Sequence, residues 1–217
     1  MFEVVNNLPI LSHPNIEKYE REGYEKDSGA CIYVLKNFFA FEECETLISV
    51  GSQYLEPSRV GGPNDTTKID KNVRSSYTAM ISDISCHPQV LEAIERIDNA
   101  YGHPHLTSNP LQLNRYRVGE KFEAHHDWHD PVRQAERIAR EGQRTWTFLM
   151  YLNDDFEGGE TEFPLLEFGI QPEQGMLVLW NNLLPDGSVN DATLHRSNSV
   201  IEGTKYMMTK WFKNKVL

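Results

Sequence analysis

From Leu111 onwards the chain is a succession of short β-type segments, and this succession limits the possible fold more than any other feature of the sequence. Runs rich in β-branched and aromatic residues, separated by turn residues, are typical of strands. Many short strands in a row predict a sandwich or a jelly roll. The segments cover residues 111–118, 121–128, 145–152, 166–170, 175–181, 193–200 and 204–212.

The part of the chain before these strands is predicted to contain two helices. The second covers 88–101 and begins with a proline, which the first turn of a helix tolerates. A strand is predicted over 31–39 and a short helical insert over 131–141. We therefore expect a mainly β protein with flanking helices (α+β), in which the helices pack outside a jelly roll core. The first helix is predicted over 41–54, because apolar or small residues recur there at helical spacing: Cys44, Leu47, Ile48, Gly51 and Leu55.

The sequence shows no internal repeat, no low-complexity tract and no convincing linker between domains. Residues 1–28 are mostly polar and are interrupted by Asn, Pro and Gly, so they are predicted to form an N-terminal arm or a peripheral element. Residues 29–217 are predicted to form a single domain, which is large enough to bury a core without disulfides. A long loop is expected over 56–72, and such loops in compact domains are frequently functional.

Charge and cysteine content narrow the classes of partner and compartment. The chain has 32 acidic and 21 basic residues and a net charge of −11. Such a chain repels phosphate backbones, so nucleic acid is not an expected partner, whereas a basic peptide would be attracted. The three cysteines form no CxxC pair, which favours free thiols in a reducing compartment. No signal peptide and no membrane-spanning stretch is recognised, so the expected location is the cytoplasm.

The segment YRVGEKFEAHHDWHD, residues 116–130, contains several possible metal ligands. In a strand, residues i and i+2 face the same side, so His125 and Asp127 point together and His126 points away. His195, 70 residues after His125, is the best-placed third ligand. Two histidines and one carboxylate that leave coordination positions open are typical of non-haem Fe(II) oxygenases. A zinc hydrolase could use the same groups, and their spacing does not separate iron from zinc.

The run TKYMMTKWF offers a second functional signal, because Lys205 follows His195 by ten residues. Alternation in a strand places Lys205 and Trp211 on one face and Lys210 and Phe212 on the other. If the first face lines the barrel, a cation points into an apolar cavity, where a dicarboxylate such as 2-oxoglutarate would compensate its charge. The opposite assignment buries Lys210 and leaves Lys205 in solvent. The residues alone do not decide between the two faces.

Four blocks in the second half of the chain follow one another in an order that matches a known family. The first is RYRVGEKFEAHHD, which fits the pattern Tyr-x-x-Gly-x-x-Tyr/Phe-x-x-His-x-Asp. The others are TFLMYLNDDFEGGETEFP, QPEQGMLVLWNN and LHRSNSVIEGTKYMMTKWF. Together they resemble the prolyl 4-hydroxylase family of Fe(II)/2-oxoglutarate-dependent dioxygenases. The early segments CIYVLKNFFAFEECETLISVG and NVRSS resemble that family more loosely, so the resemblance covers about residues 30 to 213.

This resemblance implies a double-stranded β-helix and assigns the residues that bind the cofactors. Fe(II) would be bound by His125, Asp127 and His195. The distal carboxylate of 2-oxoglutarate would contact Lys205, which also decides which face of the last strand is buried. Tyr116 would hydrogen-bond the same cosubstrate, and Thr161 in the GGET turn is a weaker candidate for that role.

The resemblance also implies an activity, that of a peptidyl-proline 4-hydroxylase. Decarboxylation of 2-oxoglutarate to succinate would be coupled to hydroxylation of a prolyl residue, with O2 as co-reactant and ascorbate as reductant. Arg144 and Trp211 would line the substrate side of the site, and the loop over 60–73 would close over a peptide or protein substrate. The protein is expected to be a monomer.

Three other functions stay open at this point. The same chemistry could act on another side chain or on a small molecule, because loops rather than the barrel determine the substrate. A jelly roll that binds metal or peptide without catalysis is the second, and absence of 2-oxoglutarate turnover with metal bound would favour it. A zinc hydrolase is the third, but it needs a general base near the metal and has no use for Lys205.

Overall fold

The structure is a computed structural model that describes residues 16–19, 28–62, 66–81, 87–103 and 106–216. No helix in this part of the chain is long and apolar enough to cross a membrane. The helical segments are α1 (Phe41–Ser52), α2 (Pro88–Tyr101) and α3 (Ala135–Glu141), with short 3-10 turns at Pro164–Leu166 and Asp191–Thr193.

The remaining regular elements are strands. In chain order they are β1 (Ile16–Tyr19), β2 (Ile32–Leu35), β3 (Glu56–Pro57), β4 (Val60–Gly61), β5 (Thr67–Lys68), β6 (Tyr77–Met80), β7 (Leu106–Ser108), β8 (Gln112–Arg117), β9 (Phe122–His125), β10 (Arg144–Tyr151), β11 (Glu157–Gly158), β12 (Thr161–Phe163), β13 (Phe168–Ile170), β14 (Leu177–Asn181), β15 (His195–Ser197), β16 (Val200–Glu202) and β17 (Thr204–Val216).

Two antiparallel sheets form the framework of the fold. The larger sheet has nine strands in the order β1-β2-β14-β10-β17-β8-β6-β3, with β7 paired to β17 as well. The smaller sheet has four strands in the order β13-β12-β15-β9. Packing of the two sheets gives the predicted jelly roll core, in which antiparallel strands enclose a buried interior.

The larger sheet is buried on both faces. One face packs on the helices, as Cys44 and Leu47 of α1 and Ile97 of α2 share a core cluster with Phe148 and Met208. The other face packs on the smaller sheet through a second cluster. Burial of β10 on both faces explains why its sequence RTWTFLMY ends in a continuous apolar run instead of alternating throughout. Members of the second cluster include Tyr116, Leu149, Tyr151, Phe163, Trp180 and Met207.

Most elements lie where the sequence predicts them. Each predicted segment from residue 111 onwards contains a strand, and α2 covers 88–101 as expected. The first helix is shorter than its predicted range of 41–54 and ends at Ser52. The predicted strand over 31–39 ends at Leu35, because the chain turns at Asn37, which has a positive φ of 55°. The predicted insert over 131–141 is helical only in α3.

Two predictions for the first third of the chain need correction. Residues 16–19, for which the sequence predicts an arm or a peripheral element and no strand, form β1 and pair with β2 at the edge of the larger sheet. The loop predicted over 56–72 contains β3, and its strands β4 and β5 pair into a small antiparallel ribbon. These strands are only two residues long, so the sequence gives no periodic signal for them.

Candidate active site

The two histidines predicted to bind metal come together because their strands are neighbours in the smaller sheet. β9 and β15 pair antiparallel, with His125 directly opposite His195. The ring centroids of these histidines are 4.4 Å apart. β9 ends at His125 instead of continuing to residue 128 as predicted, so Asp127 lies just beyond the strand. Its carboxylate is nevertheless buried and lies close to the Nε2 atom of both histidines.

The three side chains can reach a single metal ion. His125 Nε2 lies 3.7 Å from Asp127 Oδ1, and His195 Nε2 lies 3.5 Å from Asp127 Oδ2. One donor atom from each residue lies within 4.8 Å of the other two. Protein nitrogen and oxygen ligands bind divalent metals at about 2.0–2.2 Å, so an ion between these atoms would be within reach of all three.

Hydrogen bonds orient the donor atoms towards one another. His125 Nδ1 lies 2.8 Å from the carbonyl oxygen of Glu123, and His195 Nδ1 lies 3.0 Å from that of Thr193. A carbonyl oxygen only accepts, so each Nδ1 donates its proton there and each Nε2 is the ring nitrogen left for a metal. Metal-binding histidines in proteins are held in the same way.

Electrostatics keep Asp127 and His125 in the protonation states that bind metal. Burial alone would raise the pKa of Asp127, but the nearby His195 and His125 outweigh it and lower that pKa to about 2. Burial, together with the proximity of His195, lowers the pKa of His125 to about 3. At neutral pH these two residues are therefore a carboxylate and a neutral imidazole, which are the forms that coordinate a cation.

Lys205 points into the interior between the sheets and is fully buried. Its Nζ donates to the carbonyl oxygen of Gly159 at 2.5 Å and to Ser197 Oγ at 2.9 Å. Both acceptors are neutral, and burial lowers the pKa of Lys205 to about 7. This arrangement fits an anion-binding group, because a bound carboxylate would compensate the charge of a buried ammonium group.

Both faces of the last strand are buried, so neither of the two assignments considered from the sequence is complete. Lys205 lies on the face that also carries Met207 and Thr209. Those two residues line the cavity that also contains the three proposed metal ligands. Lys210 is buried on the opposite face and forms an ion pair with Asp98 of α2. Lys205 therefore lies on the cavity side of the larger sheet, and Lys210 lies on its helical side.

Two further residues predicted to bind the cosubstrate lie beside Lys205. Tyr116 is its direct partner across β8 and β17, and its hydroxyl is buried without a hydrogen-bond partner among the described residues. An unpaired buried hydroxyl is costly, so it indicates a ligand. Thr161 Oγ1 accepts a hydrogen bond of 2.6 Å from the Tyr151 hydroxyl, which leaves the Thr161 proton available to a ligand.

The predicted substrate residues Arg144 and Trp211 contact each other beside Asp127. Arg144 Nη1 donates to the main-chain oxygen of Asp127 at 3.1 Å, and the guanidinium lies 3.9 Å from the centre of the Trp211 ring. Burial lowers the pKa of Arg144 only to about 10, so the guanidinium keeps its charge at neutral pH. Trp211 lines the cavity together with the three ligands.

Sequence reasoning missed several residues of this site. Ser197, which accepts from Lys205, follows His195 by two positions on the same strand, so alternation could have identified it. Arg74 belongs to the segment NVRSS, and its guanidinium lies 4.7 Å from the centre of the Phe122 ring. Phe122 in turn stacks on His125 at 3.6 Å. The contact between Arg74 and Phe122 could not be predicted from local sequence, because it joins segments that are distant in the chain.

The carboxylates that line the cavity argue against a zinc hydrolase. Among the described residues that line it, Asp127 is the only carboxylate, and that residue belongs to the metal ligands. A hydrolase of this type needs a second group to act as general base. The buried Lys205 would have no purpose in such an enzyme, whereas it fits a dicarboxylate cosubstrate.

Comparison with known proteins gives a consistent result. The family model described as "2OG-Fe(II) oxygenase superfamily" matches residues 111–213. "Probable prolyl 4-hydroxylase 8" of Arabidopsis thaliana is 32% identical over 200 residues, which cover 83% of this chain and 67% of the relative. "Prolyl 4-hydroxylase 13" of the same plant is 30% identical over 200 residues, which cover 84% of this chain and 71% of the relative.

Solved structures support the fold. A viral collagen prolyl hydroxylase from Paramecium Bursaria Chlorella virus-1, solved as a 2OG complex, superposes with a TM-score of 0.58 at 21% identity, covering 84% of this chain and 94% of that chain. A prolyl hydroxylase from Trichoplax adhaerens, solved with a hypoxia inducible factor peptide fragment, superposes with a TM-score of 0.60 at 16% identity, covering 88% of this chain and 86% of that chain. By its sequence relatives, this chain belongs to the prolyl 4-hydroxylase family of 2-oxoglutarate- and Fe(II)-dependent dioxygenases, which use Fe(II), 2-oxoglutarate and O2.

Proposed function

We propose that this protein is a peptidyl-proline 4-hydroxylase. In the reaction, 2-oxoglutarate, O2 and a prolyl residue are converted into succinate, CO2 and a 4-hydroxyprolyl residue. One oxygen atom enters succinate and the other enters the new hydroxyl group, so the reaction balances. The names of the curated relatives support proline as the target. The buried Lys205 beside a triad of metal ligands is the observation that carries the proposal.

The proposed metal site consists of His125, Asp127 and His195. When bound there, Fe(II) would supply the oxygen chemistry that amino-acid side chains cannot perform. The protein's own contribution is to hold two imidazole rings, each through its Nδ1, and one ionised carboxylate where all three can reach one ion. Positions on the remaining sides then stay available to cosubstrate and O2.

The proposed cosubstrate site is formed by Lys205, Tyr116 and Thr161. Lys205 would pair with the distal carboxylate, and the unpaired Tyr116 hydroxyl would donate a second hydrogen bond. Thr161 is the weaker contact, because its oxygen already accepts from Tyr151. Three donors from three strands would fix the orientation of a flexible dicarboxylate.

The proposed substrate side contains Arg144 and Trp211. The guanidinium packs over the indole ring, which gives a flat, rigid wall beside the metal ligands. Residues 60–73, which include the β4–β5 ribbon, would close over a peptide and reduce access of water. We also propose a monomer in the cytoplasm, and the free thiol of the buried Cys44 is compatible with a reducing compartment.

Proline-dependent turnover is the direct test of this function. The protein is loaded with Fe(II) without oxygen, exposed to air with 2-oxoglutarate and ascorbate, and assayed for succinate with a panel of proline-rich peptides. We expect one peptide to stimulate succinate formation and to gain the mass of one oxygen atom on proline. The matched control is the same peptide with proline replaced by alanine, which should gain no oxygen.

Two outcomes would contradict parts of the proposal. Succinate formation with oxygen transfer to another side chain or to a small molecule would retain the dioxygenase and exclude the prolyl substrate. Failure to bind 2-oxoglutarate with metal present would exclude the cosubstrate site and favour a non-catalytic binding protein.

Binding of 2-oxoglutarate is expected to weaken as the pH rises. Burial lowers the pKa of free Lys205 to about 7, and a bound dicarboxylate would raise it again. Below this pH the lysine is charged before and after binding, so the affinity is constant. Above it, binding takes up one proton, and Kd should rise by up to about tenfold per pH unit. Calorimetry with Mn(II) from about pH 6 to about pH 9, in buffers of different ionisation enthalpy, measures both the slope and the proton uptake. A Kd for 2-oxoglutarate that does not change with pH would contradict the predicted role of the Lys205 charge.

A further inference from the structure

The three proposed metal ligands are held by different kinds of partner. Main-chain carbonyl oxygens hold both histidine rings, and no side-chain substitution removes a carbonyl oxygen. Asp127 is held by a side chain, since Thr147 Oγ1 donates to Asp127 Oδ2 at 2.8 Å. Thr147 lies in the central strand β10 and is fully buried. Its hydroxyl is therefore a ligand support that mutation can remove.

A second buried residue fixes the direction of this hydrogen bond. Asn182 Nδ2 lies 2.9 Å from Thr147 Oγ1, and Asn182 is itself fully buried. An ionised carboxylate only accepts, so Thr147 must donate its single hydroxyl proton to Asp127. The amide of Asn182 then has to donate to Thr147. The main chain of Asn182 is fixed as well, because its N–H donates to the oxygen of Thr145 at 2.7 Å.

Asp127 has a competing partner within the site. The guanidinium of Arg144 already donates to the main-chain oxygen of Asp127 at 3.1 Å, and its charge lowers the pKa of that carboxyl. A carboxylate released from Thr147 could rotate towards this cation, because a charged, bidentate pair with arginine is stronger than a bond to a neutral hydroxyl. Such a rotation would take an oxygen ligand away from the metal site.

We infer that Thr147 and Asn182 are positioning residues, a hydrogen-bonded relay that holds Asp127 in its metal-binding orientation against the pull of Arg144. The inference rests on the proposed metal site. It assigns these two residues no contact with metal, cosubstrate or substrate. Their effect should appear first in metal affinity, and only through it in turnover.

The test compares Thr147→Val with Thr147→Ser. Valine keeps the shape and removes the hydroxyl, and we expect Mn(II), used as the metal probe without oxygen, to bind roughly 10–100-fold more weakly. Serine retains the hydroxyl and should restore affinity to within about threefold of the original chain. With saturating metal, Thr147→Val should recover most of its kcat, so the apparent requirement for Fe(II) changes more than the maximal rate.

Thr145→Val is the matched control. Thr145 is a buried threonine of the same strand, and its hydroxyl bonds the Tyr101 hydroxyl and the oxygen of Phe212, each at 3.2 Å. The same substitution there also removes buried hydrogen bonds but touches no metal ligand. We expect a loss of thermal stability with unchanged Mn(II) affinity. Equal losses of Mn(II) affinity in both valine variants would reduce Thr147 to a structural residue and overturn the inference.

Double variants test the relay and the competition separately. Asn182→Ala should weaken Mn(II) binding less than Thr147→Val, and the double variant should be no weaker than Thr147→Val alone, since Asn182 acts through Thr147. Adding Arg144→Gln to Thr147→Val should restore part of the Mn(II) affinity. Additive losses of Mn(II) affinity in the first double variant would show that Asn182 does not act through Thr147. No recovery of Mn(II) affinity in the second would show that Arg144 does not compete for Asp127. Because Mn(II) binding is measured without turnover, these results do not depend on whether proline is the substrate.

Discussion

The chain with His195 replaced by alanine is expected to form no measurable succinate and to bind Fe(II) far more weakly. His195 supplies the imidazole nitrogen that lies 3.5 Å from Asp127 Oδ2, and no other histidine nitrogen approaches that oxygen in the described ion pairs. Loss of an outer partner of a metal ligand costs roughly 10–100-fold in affinity, so loss of a direct ligand should exceed about 100-fold. Succinate formation and calorimetric Fe(II) binding without oxygen measure the two effects.

His126→Ala is the matched control for this substitution. His126 follows a proposed ligand directly in sequence, but its ring is oriented differently: Nε2 lies 3.1 Å from the main-chain oxygen of Asp191 and the ring stacks on Trp128. Its loss should leave Fe(II) affinity unchanged. Retention of Fe(II) binding and turnover in His195→Ala would mean that the metal binds elsewhere, and the proposed site would be wrong.

Replacing Lys205 with methionine should separate stability from cosubstrate binding. Methionine has a similar length and no charge, so the free protein loses a buried cation with neutral partners and should unfold at the same or a higher temperature. The cosubstrate would lose its counter-ion, and an unpaired buried charge costs about 3–5 kcal/mol, which corresponds to roughly 10²- to 5 × 10³-fold in Kd for 2-oxoglutarate. Thermal unfolding and calorimetry with Mn(II) bound measure the two quantities.

Lys210→Met provides the opposite pattern and therefore the control. Lys210 is a buried lysine on the same strand, but it pairs with Asp98 of α2 on the helical side of the sheet. Its removal leaves a carboxylate without its partner, so stability should fall while 2-oxoglutarate affinity stays the same. If Lys205→Met instead lowers stability and leaves 2-oxoglutarate binding intact, Lys205 is a structural residue and the cosubstrate site has to lie elsewhere.

The strands of the fold could be predicted because their patterns are local. Short β-type runs between turn residues identified the strands from residue 111 onwards, and the apolar spacing of α2 identified its full length. Pairing between distant strands has no such local signal. For this reason the sequence placed residues 16–19 in an arm or a peripheral element and did not predict their pairing with Ile32–Leu35 at the sheet edge.

The site was predictable only as far as side-chain direction follows from alternation. Alternation placed His125 and Asp127 on one side of the chain, and His195 lies directly opposite His125 because their strands pair. Thr147 and Asn182 could not be found, because their roles depend on a carboxylate 20 residues earlier than Thr147 and on a packed interior. The ion pair of Lys210 with Asp98 could not be predicted either. Periodicity distinguishes the two faces of a strand, but it does not show that helices bury the second face.

The position of β17 in the larger sheet has a consequence for how the protein is made. Of the described strands it is the last to leave the ribosome, yet it lies between β10 and β8 and pairs with both. Until residues Thr204–Val216 emerge, those two partners have unpaired edges, which are prone to aggregate. The nascent chain also lacks Lys205 until then. We therefore expect co-translational chaperones to bind the chain during this interval, and 2-oxoglutarate to stabilise it only after synthesis has passed β17.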